Sequence, residues 1–184
     1  MHSIKPKLSQ KKIHNALPII KYLEENPNVR GALPQIKTQI FYIAGSIELG
    51  GNLTGINAID EANLFNMGDY IVEGSAEALQ NTDNGILLGI GIAEKMSLKV
   101  GDRVQLSPIN GGIFPLKIVG FYQSGIADLD AIQSFTNIKT VQRILGKANN
   151  YITDINVKLY DIEQAIPMSK KIEQQFNLTA MDIK

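Results

Sequence analysis

Residues 103–122, RVQLSPINGGIFPLKIVGFY, restrict the fold more than any other part of the chain. Val104 and Leu106 alternate with polar neighbours, and Leu116 and Ile118 flank Lys117. Each arm therefore puts every second side chain on one apolar face, the period of a strand buried on one side. Between the arms, Asn110-Gly111 supplies the positive-φ pair that a tight turn requires. This predicts an antiparallel hairpin, and a hairpin with one apolar face needs further strands or helices against it to be stable.

The rest of the chain supplies them in mixed order. Asn15 is placed to cap a helix reaching residues 22–25, with Pro18 in the first turn, where its missing N–H costs little. Ala16, Leu17, Ile20 and Leu23 would then share one face, and Asn26-Pro27 ends the helix. Strand-like residues 36–44 (IKTQIFYIA) and 53–59 (LTGINAI) flank the turn-rich Glu48-Leu49-Gly50-Gly51-Asn52, which predicts a second hairpin. Shorter pieces fill the centre: a strand in YIVEG, a helix at 75–79, the run ILL, a helix at 92–96, and a polar turn at Asp128-Leu129-Asp130 before a strand at 132–135. A helix at 138–145 is capped by Thr136 or Asn137 and stopped by Gly146, with Ile138, Val141 and Leu145 inward and Lys139 and Arg143 outward. Alternation returns at 152–159. Asp161 and Gln164 then form a capping box, Pro167 predicts a kink or restart before 168–176, and LTAMDI reads as one last strand.

Bulk properties exclude several functions. Lys and Arg together number 18, as do Asp and Glu, and the pI is near 6.7, so no overall field draws in nucleic acid. The first forty residues are locally basic, a solvated end. Cysteine is absent, which removes disulfides, thiolate metal sites and a cysteine nucleophile. No apolar run approaches the roughly 18 to 20 residues of a membrane-spanning helix.

The glycine run in 85–102, GILLGIGIAEKMSLKVGD, is the best candidate for chemistry and fails as one. A dinucleotide fingerprint needs a third glycine after Gly89 and Gly91, and Ala93-Glu94 stands there instead. A P-loop would end in Gly-Lys-Ser/Thr, and Glu94 in the first helical turn would repel a phosphate. Gly89, Gly91, Gly101 and Asp102 therefore read as structural turns. His2 and His14 have no carboxylate at metal-ligand spacing, and Asp128-Leu129-Asp130 lacks the remaining ligands of a calcium loop. The adjacent carboxylates Glu24-Glu25 and Asp60-Glu61 are expected to face water, since neighbouring side chains do not converge on one atom. No catalytic residue and no metal site is assigned. At the hairpin tip Ile109, Asn110, Gly111, Gly112 and Ile113 are the candidate partner-binding residues, because an apolar side chain in a turn either docks on a partner or folds back on its own domain.

The order of these pieces resembles the extracytoplasmic domain of ABC-transporter permeases of the FtsX and macrolide-exporter type. The matching features are Leu88-Gly89 with a short helix at 93–96, Val100-Gly101-Asp102, a strand ending in Val119-Gly120, Ser124-Gly125, an acidic Asp130, and a helix ending at Leu145-Gly146. Upstream, GINAIDEANLFNMGDYIVEGS is similar to the G-I-D-x-x-x-E … G segment of the lipoprotein-releasing membrane subunits (LolC/LolE), the branch to which the chain is most similar. The resemblance covers about residues 30–165.

What it implies is an α+β (mixed α/β) fold of two small modules. A terminal porter-like α/β module, 10–60 with 150–184, would hold an inserted β-rich module, 61–149. Transmembrane helices would flank this region, which would be a noncatalytic periplasmic domain in the inner membrane of a bacterium. No cofactor would bind in this domain; ATP would be bound by a separate subunit or domain. The implied partners are a second permease subunit in a homo- or heterodimer, the cytosolic ATPase, a lipoprotein or other exported substrate, and a periplasmic chaperone or adaptor; nucleic acid is not among them. One subunit of the lipoprotein-releasing branch carries a longer projecting hairpin that holds the chaperone, whereas 107–115 is short here. That departure is compatible with the partner subunit, a homodimeric permease or an efflux-type exporter.

Overall fold

The computed structural model describes residues 12–176. In chain order it forms α1 (Ala16–Glu24), β1 (Val29–Ala44), β2 (Ile47–Ile56), α2 (Ala58–Phe65), a 3-10 turn (Met67–Tyr70), β3 (Ile71–Glu73), α3 (Ala76–Gln80), β4 (Gly85–Gly89) and α4 (Ile90–Met96). There follow β5 (Arg103–Pro108), β6 (Phe114–Tyr122), α5 (Ala127–Asp130), β7 (Gln133–Asn137), α6 (Ile138–Ile144), β8 (Asp154–Leu159), a 3-10 turn (Ile162–Gln164) and α7 (Ala165–Phe176). The fold is mixed α/β, as the resemblance implied.

The strands close on themselves. β1 is antiparallel to β2 and to β5, β5 to β6, and β4 to β7, while β4 runs parallel to β6 and β2 parallel to β7. The circuit β1–β2–β7–β4–β6–β5 returns to β1, so each of these strands has a neighbour on both sides and the ring leaves no edge to template pairing with another chain. β3 adds to the end of β6, and β8 to the first half of β1.

The alternation in 103–122 fills the interior. Val104, Leu106, Leu116 and Ile118 point inward with Ile36, Ile40, Tyr42, Leu53, Ile86 and Leu88. Ile92, Ala93 and Met96 of α4, and Val141 and Ile144 of α6, join the same cluster. Burial of each such side chain contributes about 1.5 to 3 kcal/mol. β4 is buried on both faces, Ile86 and Leu88 toward this interior and Leu87 toward a second cluster with Ile56, Ala58, Leu79 and Phe135. That double burial is why ILL is a continuous apolar run. A third cluster joins Ile19 and Leu23 of α1 to Val29 and Ala32, with Met168, Ile172 and Phe176 of α7 packed against it.

Several local expectations are corrected. Glu48-Leu49-Gly50-Gly51-Asn52 is not a turn but lies within β2; the chain reverses at Gly45, whose φ of 59° is left-handed. Gly51 serves packing, since a Cβ there would stand 2.6 Å from the Tyr42 ring. β2 ends at Ile56, and Ala58 and Ile59 begin α2, capped by the Asn57 side chain, which accepts from the Asp60 N–H. Asn15 marks the start of α1 but is left-handed (φ 58°) and makes no side-chain cap, and Leu17 is exposed, the buried face being Ala16, Ile19 and Leu23. Asp128-Leu129-Asp130 lies in the short helix α5. The α6 cap is not made by a side chain: Thr136 Oγ1 donates to the Gly85 carbonyl and Asn137 Nδ2 to that of Leu79. Asp161 accepts from the Glu163 N–H, while its own N–H, which a capping-box Gln164 would have taken, donates to Asn28 Oδ1. Pro167 follows a restart, the 3-10 turn giving way to α7 at Ala165. LTAMDI lies outside the described residues.

Candidate functional site

The glycine run sits where β4 turns directly into α4, and α5 packs against the bend. A Cβ on Gly89 would come 2.5 Å from the Asp130 carbonyl oxygen, and one on Gly91 2.9 Å from Ala131 Cα. The bend is therefore closed over by backbone, and carbonyl oxygens there disfavour an anion. Gly101 has φ 97° with nothing within 4 Å of its Cβ position, so its backbone conformation, not its surroundings, selects glycine. Asp102 completes that turn by accepting from the Lys99 N–H at 2.8 Å. These four residues lie in two separate turns, one on either side of α4.

The hairpin tip is open. Gly111 N–H donates to the Pro108 carbonyl at 3.0 Å, and positive φ falls on Gly111 (94°) and Gly112 (96°), so the expected Asn110-Gly111 pair is displaced by one residue. Ile109 is 60% exposed and Ile113 59%. Neither folds back on the domain. Exposed apolar side chains on a reverse turn offer a small contact surface, held by a ladder whose register runs from Arg103↔Lys117 to Leu106↔Phe114.

Polar groups inside the molecule are structural in geometry. Tyr42 Oη donates to the Asn52 carbonyl and shares a hydrogen bond with Ser134 Oγ, and burial pushes its phenol above the ordinary tyrosine range. Asp130, 4% exposed, accepts from Ser124 and Gly125. Asp60 and Glu61 do not both face water. Successive helical residues diverge by about 100°, and Glu61 turns inward to 5% exposure, where Gln35 Nε2 donates to it at 2.6 Å. Burial raises its carboxyl above the usual carboxylate range, against the Gln35 hydrogen bond. The sequence hides this pair because LTGINAI has strand character through 58–59; with α2 beginning at Ala58, Ala58 and Glu61 stand three apart on one buried stripe.

Ser124 Oγ donates to the Asp130 carboxylate, and the two tie backbone N–H groups of one loop together; among the described residues no group of three or more His, Cys, Asp or Glu could hold a metal ion. An open groove of ≈ 330 Å³ between β1, β2 and α5 is lined by Lys37, Gln39, Asn52, Gln133 and Leu129, a mixed surface without convergent acid–base groups. No helix among the described residues is long and apolar enough to cross a membrane.

Among the described residues a closed, plugged sheet carries an exposed hairpin, a scaffold that presents surfaces. The chain belongs to the MacB-like periplasmic core domain family, whose model matches residues 5–175. It is thus a periplasmic domain of an ABC permease of the MacB/LolC type. It is 25% identical over 157 residues to the lipoprotein-releasing system transmembrane protein LolC of Neisseria meningitidis, covering 80% of this chain and 37% of the relative. To LolC of Xylella fastidiosa it is 23% identical, covering 83% and 38%. The chain thus spans little more than a third of the length of these relatives. In fold it is similar to the extracellular domain of the noncanonic ABC-type transporter YknZ from Gram-positive bacteria, with TM-score 0.60, 14% identity, and 86% and 80% of the two chains covered. It is equally similar to the periplasmic region of MacB from Actinobacillus actinomycetemcomitans, with TM-score 0.60, 11% identity, and 89% and 75% covered.

Proposed function

We propose that this domain works mechanically within a permease that releases lipoproteins from the inner membrane, coupling ATP hydrolysis on a separate cytosolic subunit to movement of cargo on the periplasmic side. The observation that supports this reading is the match, across four-fifths of the chain, to proteins named as lipoprotein-releasing membrane subunits. The domain contributes no catalysis in this reading and binds no cofactor. Its second permease subunit, a homo- or heterodimeric partner, packs against it, and closure of the ATPase changes that packing. The hairpin tip, residues Ile109, Asn110, Gly111, Gly112 and Ile113, is the partner-binding element, and its two exposed isoleucines support that role. In this reading the porter-like module is 10–60 with 150–184 and the inserted module 61–149; the pairing of β8 with the first half of β1, which joins the two ends of the chain, supports it.

The test is reconstitution of the permease that carries this domain, with its ATPase, in vesicles bearing a labelled triacylated lipoprotein. ATP-dependent appearance of the lipoprotein in a soluble chaperone complex is the expected result. ATP-dependent efflux of a drug or peptide without lipoprotein release would establish the efflux-type reading in its place.

A further inference from the structure

β1 belongs to two ladders. Gln35 pairs with Asp154 of β8, and the next residue, Ile36, with Gly55 of β2. At that point the strand is held by Thr153, whose N–H donates to the Gln35 carbonyl at 3.1 Å and whose Oγ1 accepts from the Lys37 N–H at 2.8 Å.

Besides the Lys37–Asp154 ion pair at 3.9 Å and the Ile13 N–H bond to the Ile152 carbonyl at 2.8 Å, two unlike sets of contacts tie the parts on either side of this point together. The first is apolar: Ala16 of α1 belongs to the interior cluster, and Ile13 and Ile155 pack against both that cluster and the terminal one. The second is mostly polar and comes from α2. Gln35 Nε2 donates to Glu61 Oε1 at 2.6 Å. Lys158 Nζ of β8 donates to the Leu64 carbonyl at 2.8 Å, at the helix end where a cation is favoured, and lies 5.9 Å from the Phe65 ring centroid. Leu64 rests on Gly31, where a Cβ would come within 2.6 Å of Leu64 Cδ2.

We propose that α2 is a detachable clamp: the terminal unit of α1, the first half of β1, β8 and α7 turns about the Gln35–Ile36 point when the contacts of Glu61, Leu64 and Lys158 release, while the apolar contacts of α1 persist as the pivot. The physical reason is the difference in what water replaces. A hydrogen bond exchanged for water loses little net free energy, whereas separating Ala16, Ile13 and Ile155 would expose their apolar surface without compensation. Gly31 also leaves Leu64 on a smooth strand with no side chain beneath it to interlock.

The chain has no cysteine, so Lys95→Cys on α4 and Lys170→Cys on α7, both exposed positions, can carry a unique pair of spin labels. Pulsed electron-resonance distances are expected to give one narrow distribution in the labelled parent. Glu61→Ala with Lys158→Met should add a second, resolved distance holding at least about a fifth of the molecules, and Gly31→Ala, which keeps every polar group and displaces Leu64, should shift the population the same way. Asn28→Ala, whose lost hydrogen bonds to Asp161 lie within the terminal unit, should leave the distribution narrow. An unchanged distribution in the double variant overturns the proposal. So does equal broadening in Asn28→Ala, or loss of the near-ultraviolet circular dichroism of the double variant, which would mean that these contacts hold the closed sheet itself. The measurement concerns this chain alone, so its failure leaves the transport reading intact, and failure of lipoprotein release leaves the clamp intact.

Discussion

The carboxylate of Asp130 accepts two hydrogen bonds from Ser124 at one oxygen, from the backbone N–H and from Oγ, each at 2.7 Å. Its other oxygen takes the Gly125 N–H at 3.2 Å, and Ser124 Oγ in turn accepts from the Ile126 N–H. One buried side chain thus fastens the exit of β6 to α5, and α5 is the element that packs over Gly89 and Gly91. The Ser-Gly and acidic positions of the sequence pattern are in this way one structural device.

Removing that acceptor leaves part-buried donors without their partner. Asp130→Ala is expected to cost about 1 to 3 kcal/mol of stability, the range for losing a charged hydrogen-bond acceptor. Asp130→Asn, which keeps one carbonyl acceptor, should cost less. Urea unfolding of the three chains measures the order, and equal stability of Asp130→Ala and the parent would refute the role.

Gly89 and Gly101 are required for different reasons and should respond differently to alanine. Gly89→Ala drives a methyl against the Asp130 carbonyl, a collision between backbones that repacking side chains cannot relieve, and should cost upwards of about 3 kcal/mol. Gly101→Ala meets open space and bears only the left-handed φ of 97°, so about 1 to 2 kcal/mol is expected. Thermal unfolding midpoints in the reverse order would contradict the close-packed bend.

At the hairpin tip, Ile109→Ser and Ile113→Ser should leave stability within about 0.5 kcal/mol, because both side chains already face water. On the proposed reading, in which the tip is the partner-binding element, capture of a periplasmic chaperone or adaptor by the permease should fall at least tenfold in the double variant, measured by surface-immobilised binding. Full binding by that variant would remove the tip from the interface.

Glu61 makes stability depend on pH with a definite sign. Desolvation raises its carboxyl, the Gln35 hydrogen bond opposes that, Asp60 raises it further, and Lys37 lowers it. The folded chain therefore holds this proton more tightly than the unfolded chain does. Its contribution is fully present below the ordinary carboxylate range and is lost as pH rises through the elevated folded value. Denaturation across that window should show the parent losing stability relative to Glu61→Gln as pH rises. A gain would reverse the sign and dismiss the desolvation argument.

Wherever one element decides its own outcome, the sequence was sufficient. The two-residue period of 103–108 and 114–122 predicts the β5–β6 hairpin, the short helix expected at 75–79 forms as Ala76–Gln80 behind its Ser75 cap, and Val141 with exposed Lys139 and Arg143 orients α6. The mixed fold and the family both follow from the order of such pieces. Local signals do not carry the partners of a strand across distance in the chain. Gly50-Gly51 looks like a turn, yet the pair lies in β2 opposite Phe41 and Ile40, and at Gly51 Tyr42 and the carbonyl of Ile132 occupy the space a Cβ would need. Glu61 looks like half of a solvated acidic pair, yet is buried because Gln35, 26 residues away, meets it there. Closure of the ring depends on β2 lying parallel to β7 and β4 parallel to β6, pairings between segments whose periodicity is the same whether or not they meet. Side-chain period is a property of the backbone and is written in consecutive residues; which face meets which is settled only when the whole apolar surface is buried at once, and that is a tertiary decision.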